Sequence, residues 1–251
     1  MKNYYYDDFR ICELRTVVKE VIEERGFYWT SFENTIFFLG DHYHDFGYIN
    51  QCEVFNLKEV NGVLYHLINE KLEGEVHMAI DRGRRYIQAQ NETLSLLMND
   101  VMESVYHYKP IEHFVSDYFM VSRYKGKTLN YQQRNELQIS LNGMIRDDYH
   151  VSISYDKIDN QRFVKIGLLK QVQSNEIYVP SLKFIQMANV LEIMPKENDE
   201  FIIITTCGDQ MLFTLDRYHE IIKEASESLQ CEPLFINTSI HHVLNKIKKM
   251  W

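Results

Sequence analysis

Leu94, Leu97, Met98, Val101, Met102 and Val105 recur at i, i+3, i+4, i+7, i+8 and i+11. That spacing is one apolar stripe of a 3.6-residue period, and it predicts a helix from Tyr86 to about Tyr108. Asn91 and Ser95, four apart, stack on one face at the edge of the stripe. "NYQQRNELQISLNGMIRDD" predicts a second helix, with Leu137, Leu141, Met144 and Ile145 on a shared face. "DRYHEIIKEASESLQ" and "INTSIHHVLNKIKKMW" predict two closing helices. In the last, Ile236, Ile240, Val243, Leu244 and Ile247 form another stripe.

A different period governs the start of the chain. "RTVVKEVIEERGFYWTSFENTIFFLGDHYHDFGYIN" alternates between β-branched or aromatic residues and polar ones, and is split at "ERG" and "LGD". "GVLYHLINEKL" and "EVHMAIDRG" predict two more strands. "HFVSDYFMVSRYKG" predicts a strand pair, and "HVSISYD", "FVKIGLL", "NVLEIMP" and "EFIIITTC" predict further strands. The expected fold class is α+β: a small antiparallel β-barrel over residues 1–85, then a mixed sheet with packed helices over residues 86–251.

The chain has 251 residues, 45% hydrophobic and 25% charged, which suits a globular protein with a sizeable core. No apolar run approaches the roughly 20 residues that span a bilayer. "MKNYYYDDFR" lacks the apolar centre of a secretory signal, so the expected location is the cytoplasm, with no membrane partner. Cys12, Cys52, Cys207 and Cys231 are scattered, so neither disulfides nor a cysteine-based zinc site is expected. The net charge of −9 argues against broad nucleic-acid binding. Only "DRGRRY" and "NKIKKMW" are densely basic. No G-x-S-x-G, P-loop, H-E-x-x-H or G-x-G-x-x-G motif occurs.

Several segments do form a recognisable series. The opening strands run through "YYYDDFRICELRTVVKEVIEERGFYWTSFENTIFF". "HLINEKLEGEVHMAIDRGRRYIQAQNETLSLL" holds a histidine, a glycine, an Ile-Asp and a double arginine ahead of the first helix. "ELQISLNGMIRDDYHVSISY" carries Asn142, and "FIIITTCGDQML" carries Cys207 and Gly208. Over nearly the whole chain this order resembles the AlaX-type alanyl-tRNA editing proteins, free-standing relatives of the editing domain of alanyl-tRNA synthetase. The resemblance implies a hydrolase ancestry: removal of Ser or Gly from alanine tRNA. In the family a zinc is held by two helix histidines and a later Cys-Gly-Gly-Thr-His segment. Bound zinc acidifies water from a pKa of 15.7 to roughly 7.

Against that pattern, Asn91 and Ser95 stand at the two histidine positions. A gap-free count back from "LEI" sets "IYVPS" against the later segment, with Ile177 for the cysteine and Ser181 for the histidine. Thr35 matches the threonine that ends the family's opening strands. The shortened loop "LGDHYHD" keeps Gly40, Asp45 and Gly47. The resemblance thus implies a vestigial pocket of Thr35, Gly40, Asp45, Gly47, Asn91, Ser95, Ile177 and Ser181, with no zinc. The expected function is that of a degenerate editing protein that binds or regulates. The alternative is an aminoacyl-tRNA deacylase working through a metal-free or rebuilt-metal site.

His42 and His44, beside Asp41 and Asp45, offer such a rebuilt metal site or, more simply, a solvated polar loop. Arg82, Arg84 and Arg85 suit either an RNA phosphate or a structural bridge between barrel and helix. His66 is expected to be structural. Asn142 is expected to order a loop through side-chain hydrogen bonds. The expected partners are tRNA, bound weakly, or another protein, with a homodimer through the C-terminal helix as a further expectation.

Overall fold

The computed structural model describes residues 2–3, 6, 8–40, 43–116, 118–156 and 161–248. The N-terminal strands are β1 (Lys2–Asn3), β2 (Glu13–Glu24), β3 (Phe27–Phe32), β4 (Asn34–Thr35), β5 (Gly47–Ile49), β6 (Cys52–Glu53), β7 (Asn56–Val60), β8 (Val63–Ile68) and β9 (Glu75–Ile80). Helix α1 (Arg82–Ser104) follows, then β10 (Lys109–Val115), β11 (Met120–Lys125) and α2 (Tyr131–Arg146). The chain continues through β12 (Val151–Tyr155), β13 (Arg162–Ile166), β14 (Val172–Gln173), β15 (Ala188–Lys196) and β16 (Glu200–Cys207). It closes on α3 (Gly208–Leu229) and α4 (Ile236–Lys248).

The alternating N-terminal segments build a seven-stranded antiparallel sheet, ordered β6-β5-β9-β2-β3-β8-β7. It is the antiparallel β-structure expected, but a curled half-barrel with β6 and β7 as its edges instead of a small barrel. β2 causes the curl: its first half pairs with β9, its second half with β3, and the register shifts between Val18 and Glu20. A bulge of this kind bends a strand and steepens its twist. Two hairpins turn on two residues each, Arg25-Gly26 (φ 54° and 82°) and Asn61-Gly62 (φ 52° and 73°). Positive φ at both positions is the type I′ turn that matches strand twist. The inner face packs Phe32, Ile36, Phe37, Ile49, Ile68 and Met78.

The second part differs from the mixed sheet expected. It holds two separate sheets, β10-β11-β16-β15 and β12-β13-β14, and every pairing in them is antiparallel. Short loops join β10 to β11 and β15 to β16, and a short loop joins only antiparallel neighbours. The one parallel pair among the described residues is β1 with β4. α1 begins four residues earlier than its apolar stripe suggests, because the Asp81 side chain accepts from the Arg84 backbone N–H and caps it. α2 starts on a capping box, Asn130 with Gln133, and buries Leu137, Leu141 and Ile145 as its pattern predicts.

α2 also completes the edge of β15. Asn142 Nδ2 donates to the Ala188 carbonyl at 2.7 Å, and the Ala188 N–H donates back to Asn142 Oδ1 at 3.0 Å. Gln138 repeats the device: its Nε2 donates to the Ala188 carbonyl, and the Val190 N–H donates to its Oε1, each at 2.6 Å. Side-chain amides stand in for the missing strand. α3 is buried at its start and exposed over its later turns, and α4 packs against it after a short connection, which sets antiparallel neighbours. No helix among the described residues is long and apolar enough to cross a membrane.

Candidate functional site

α1 is the central helix, and its middle is polar where it should be greasy. Gln88, Gln90, Asn91, Glu92, Thr93 and Ser95 are all buried. Buried polar groups persist only if something satisfies them. Gln90 Nε2 donates to the Phe184 carbonyl at 2.8 Å. Asn91 Nδ2 donates to the Ile87 carbonyl at 2.8 Å and to Gln210 Oε1, at the start of α3, at 3.3 Å. Thr93 Oγ1 donates to the Ala89 carbonyl at 2.7 Å and accepts from the Val179 N–H at 3.0 Å. Ser95 Oγ and Asn91 Oδ1 are buried with no hydrogen-bond partner among the described residues.

These bonds give the positions that the resemblance groups together different partners. The segment from Ile177 to Ser181 is anchored to Thr93. Two residues along a helix is about 200° round it, so Thr93 faces away from Asn91, whose amide is directed to α3. No described hydrogen bond joins Asn91 or Ser95 to Ile177 or Ser181. Ile177 is 1% exposed and belongs to the main hydrophobic core. Ser181 is half-buried, bridges to His150 and leads into the 3-10 turn Leu182–Ile185. An amide, two hydroxyls and a hydrocarbon do not fit zinc, which favours thiolate and imidazole.

The N-terminal positions are likewise turned inward. Thr35 Oγ1 lies 3.0 Å from His66 Nε2, and His66 Nδ1 lies 3.2 Å from the Thr30 carbonyl. A carbonyl only accepts, so Nδ1 carries the proton and Nε2 accepts from the Thr35 hydroxyl. His66 is a neutral core residue between Phe32 and Phe37, and burial pulls its pKa down to about 4. Gly40 and Gly47 approach the protein's own chain. A Cβ on Gly47 would lie 2.2 Å from the Ala79 carbonyl oxygen, and one on Gly40 would lie 2.7 Å from Glu176 Oε2 and the Phe38 ring.

Asp45 receives the Phe38 N–H at 2.7 Å and an ion pair from Arg85. Arg85 also donates to the carbonyls of Phe9 and Ile36 and is fully buried. That places it out of reach of any phosphate: it is the bridge between half-barrel and helix. Arg82 is exposed, and Arg84 lies over the rings of Phe46 and Tyr43. His44 packs against Phe46, and burial, followed by the Arg84 charge, lowers its pKa. His42 lies outside the described residues.

The feature that sequence reasoning missed is the pair Glu92 and His113. Gln88 Nε2 donates to Glu92 Oε1 at 2.7 Å, and His113 Nε2 lies 3.1 and 3.0 Å from the two Glu92 oxygens. Glu92 is buried, while His113 on β10 is partly open. Burial lowers the imidazole pKa, but the hydrogen bond and charge of Glu92, with Glu176 further off, outweigh it and the net shift is upward. The pair therefore holds a proton at a position that solvent can reach. The other face of the four-stranded sheet, away from the His113 imidazole, carries a groove of about 760 Å³ lined by Phe114, Val121 and Ile202. The groove's charges answer one another: Arg123 pairs with Glu112 at 2.9 Å and with Glu200 at 2.5 Å. One signal was available beforehand, a carboxylate inside the first helix pattern.

No protein-family model matches this chain, and no curated protein matches it.

Proposed function

We propose that this chain is a degenerate AlaX-like alanyl-tRNA editing protein that acts in the cytoplasm as a binding or regulatory protein, without zinc-dependent hydrolysis. The observation that carries this reading is what occupies the family's ligand positions. The Asn91 amide is committed to Ile87 and Gln210, and Ile177 is core hydrocarbon. Packing has taken the place of ligation. Without a metal, water near neutral pH forgoes most of an advantage of roughly eight pKa units. Arg82 and Arg84 remain as RNA contacts, against a net charge of −9. Binding to tRNA is then weak and salt-sensitive, in the roughly 10⁻⁴ to 10⁻⁶ M range of non-specific association. The test is elemental analysis of the purified chain with a deacylation time course on Ser-tRNA. The reading expects no stoichiometric zinc and no rapid turnover; one zinc per chain with chelator-sensitive deacylation overturns it.

A second reading keeps the hydrolase, and its support is the Glu92–His113 pair. An imidazole oriented by a carboxylate takes up and returns a proton in ester hydrolysis. Chelator-resistant deacylation that disappears in His113→Gln selects this reading over the first.

A further inference from the structure

The α3–α4 hairpin carries more apolar surface than its own chain covers. On α3, Leu215, Tyr218 and Ile222 continue the stripe begun by Met211, at i+4, i+7 and i+11. Met211 is buried against the body. On α4, Ile240, Val243, Leu244 and Ile247 form the facing stripe, and α4 buries no residue fully. These seven side chains are between 41% and 53% exposed. The start of α3 meets α1 and the sheet, while its later turns are largely exposed and pack against α4.

The area suits a specific interface. A large side chain left half bare exposes on the order of 80 Å². The seven side chains together offer roughly 560 Å², and Ile221, Leu234 and Phe235 of the same hairpin are exposed as well; each partner of a stable protein–protein contact contributes about 800 Å². A monomer seldom leaves that much apolar surface in water.

We propose that this face binds a second copy of the same chain, closing a four-helix bundle about a two-fold axis parallel to the helices. A hairpin with both stripes half-covered is completed by another hairpin, because in a bundle every helix has two neighbours. The charges choose the axis. α3 carries five carboxylates (Asp209, Asp216, Glu220, Glu224, Glu227) against Arg217 and Lys223, whereas α4 carries Lys246 and Lys248 and no carboxylate. A two-fold along the helices sets α3 antiparallel to the partner copy's α4, opposite in sign. A two-fold across them sets α3 on α3, which the repulsion disfavours. This inference stands apart from the editing-protein reading and survives its failure.

Sedimentation equilibrium of the full chain at micromolar concentration is the test, read against a protomer mass of 30.1 kDa. The expected result is a species of twice that mass, with Leu244→Glu reducing it to a folded monomer. Hydrogen exchange of the wild-type chain at two concentrations guards against a variant that unfolds α4: protection of α4 amides must rise with dimer population. A wild-type monomer overturns the proposal, including one that binds anionic vesicles. So does a dimer that persists in Leu244→Glu, or one whose α4 exchange is indifferent to concentration.

Discussion

The Asp45 carboxylate and the Arg85 guanidinium form an ion pair that is shut off from solvent on both sides. It pins the shortened loop of the half-barrel to the first turn of α1, and two further Arg85 N–H groups donate to the carbonyls of Phe9 and Ile36. Removing one partner strands a buried charge, which costs about 3–5 kcal/mol. Asp45→Asn is therefore expected to lower unfolding free energy by about that amount in urea titration. Adding Arg85→Met should recover part of the loss, because the stranded charge is gone. A double variant as unstable as the sum of the singles would show that the two residues are not coupled.

His66 makes stability depend on acid. Its folded pKa of about 4 lies below its unfolded value, near 6.5. The unfolded chain thus takes up the proton first as pH falls. The stabilising term is complete above about pH 6.5 and is lost progressively towards pH 4, with a full size of about 3 kcal/mol. His66→Gln should flatten the wild-type stability curve in that window, measured by denaturant midpoints at stepped pH. A variant with an unchanged slope would locate the acid sensitivity elsewhere.

His113 works in the opposite direction. Its folded pKa is raised, so its contribution is complete below its unfolded pKa and is lost as pH rises through the folded one. Glu92→Gln removes the charge that lifts the imidazole and leaves the burial that depresses it. The His113 titration midpoint, followed by imidazole NMR, should drop below that of an ordinary histidine. A midpoint that stays in place would mean that Glu92 is not its governing partner.

Asn142→Ala unpairs the Ala188 N–H, for which Asn142 Oδ1 is the acceptor, and removes one of the two donors to the Ala188 carbonyl. The expected loss is about 1–3 kcal/mol, with faster hydrogen exchange at Ala188 than in the wild type. Unchanged exchange there would show that the clamp is not what orders the start of β15.

The helices α1 and α2, the N-terminal strands and the strand pair β10–β11 were legible in the sequence, because period, caps and turn residues act over a few neighbours. So was the structural part of His66, an apolar-flanked histidine in an alternating strand. What tertiary structure decided is which distant segments meet. Arg123 pairs across β11 and β16 with Ile202, and no local pattern distinguishes that partner from any other strand, so the expected mixed sheet became two antiparallel ones. The barrel stayed open because pairing register, set at the Val18–Glu20 bulge, governs closure, while alternation fixes only which face is apolar. The site follows the same logic. Asn91 and Ser95 read as the polar edge of an amphipathic helix, yet they are interior, together with Gln88 and Glu92, because β10, α3 and the 177–181 segment close over them. A hydrophobic stripe records where a helix must be dry; whether its polar side meets water or hydrogen-bonding partners depends on chain that arrives from elsewhere.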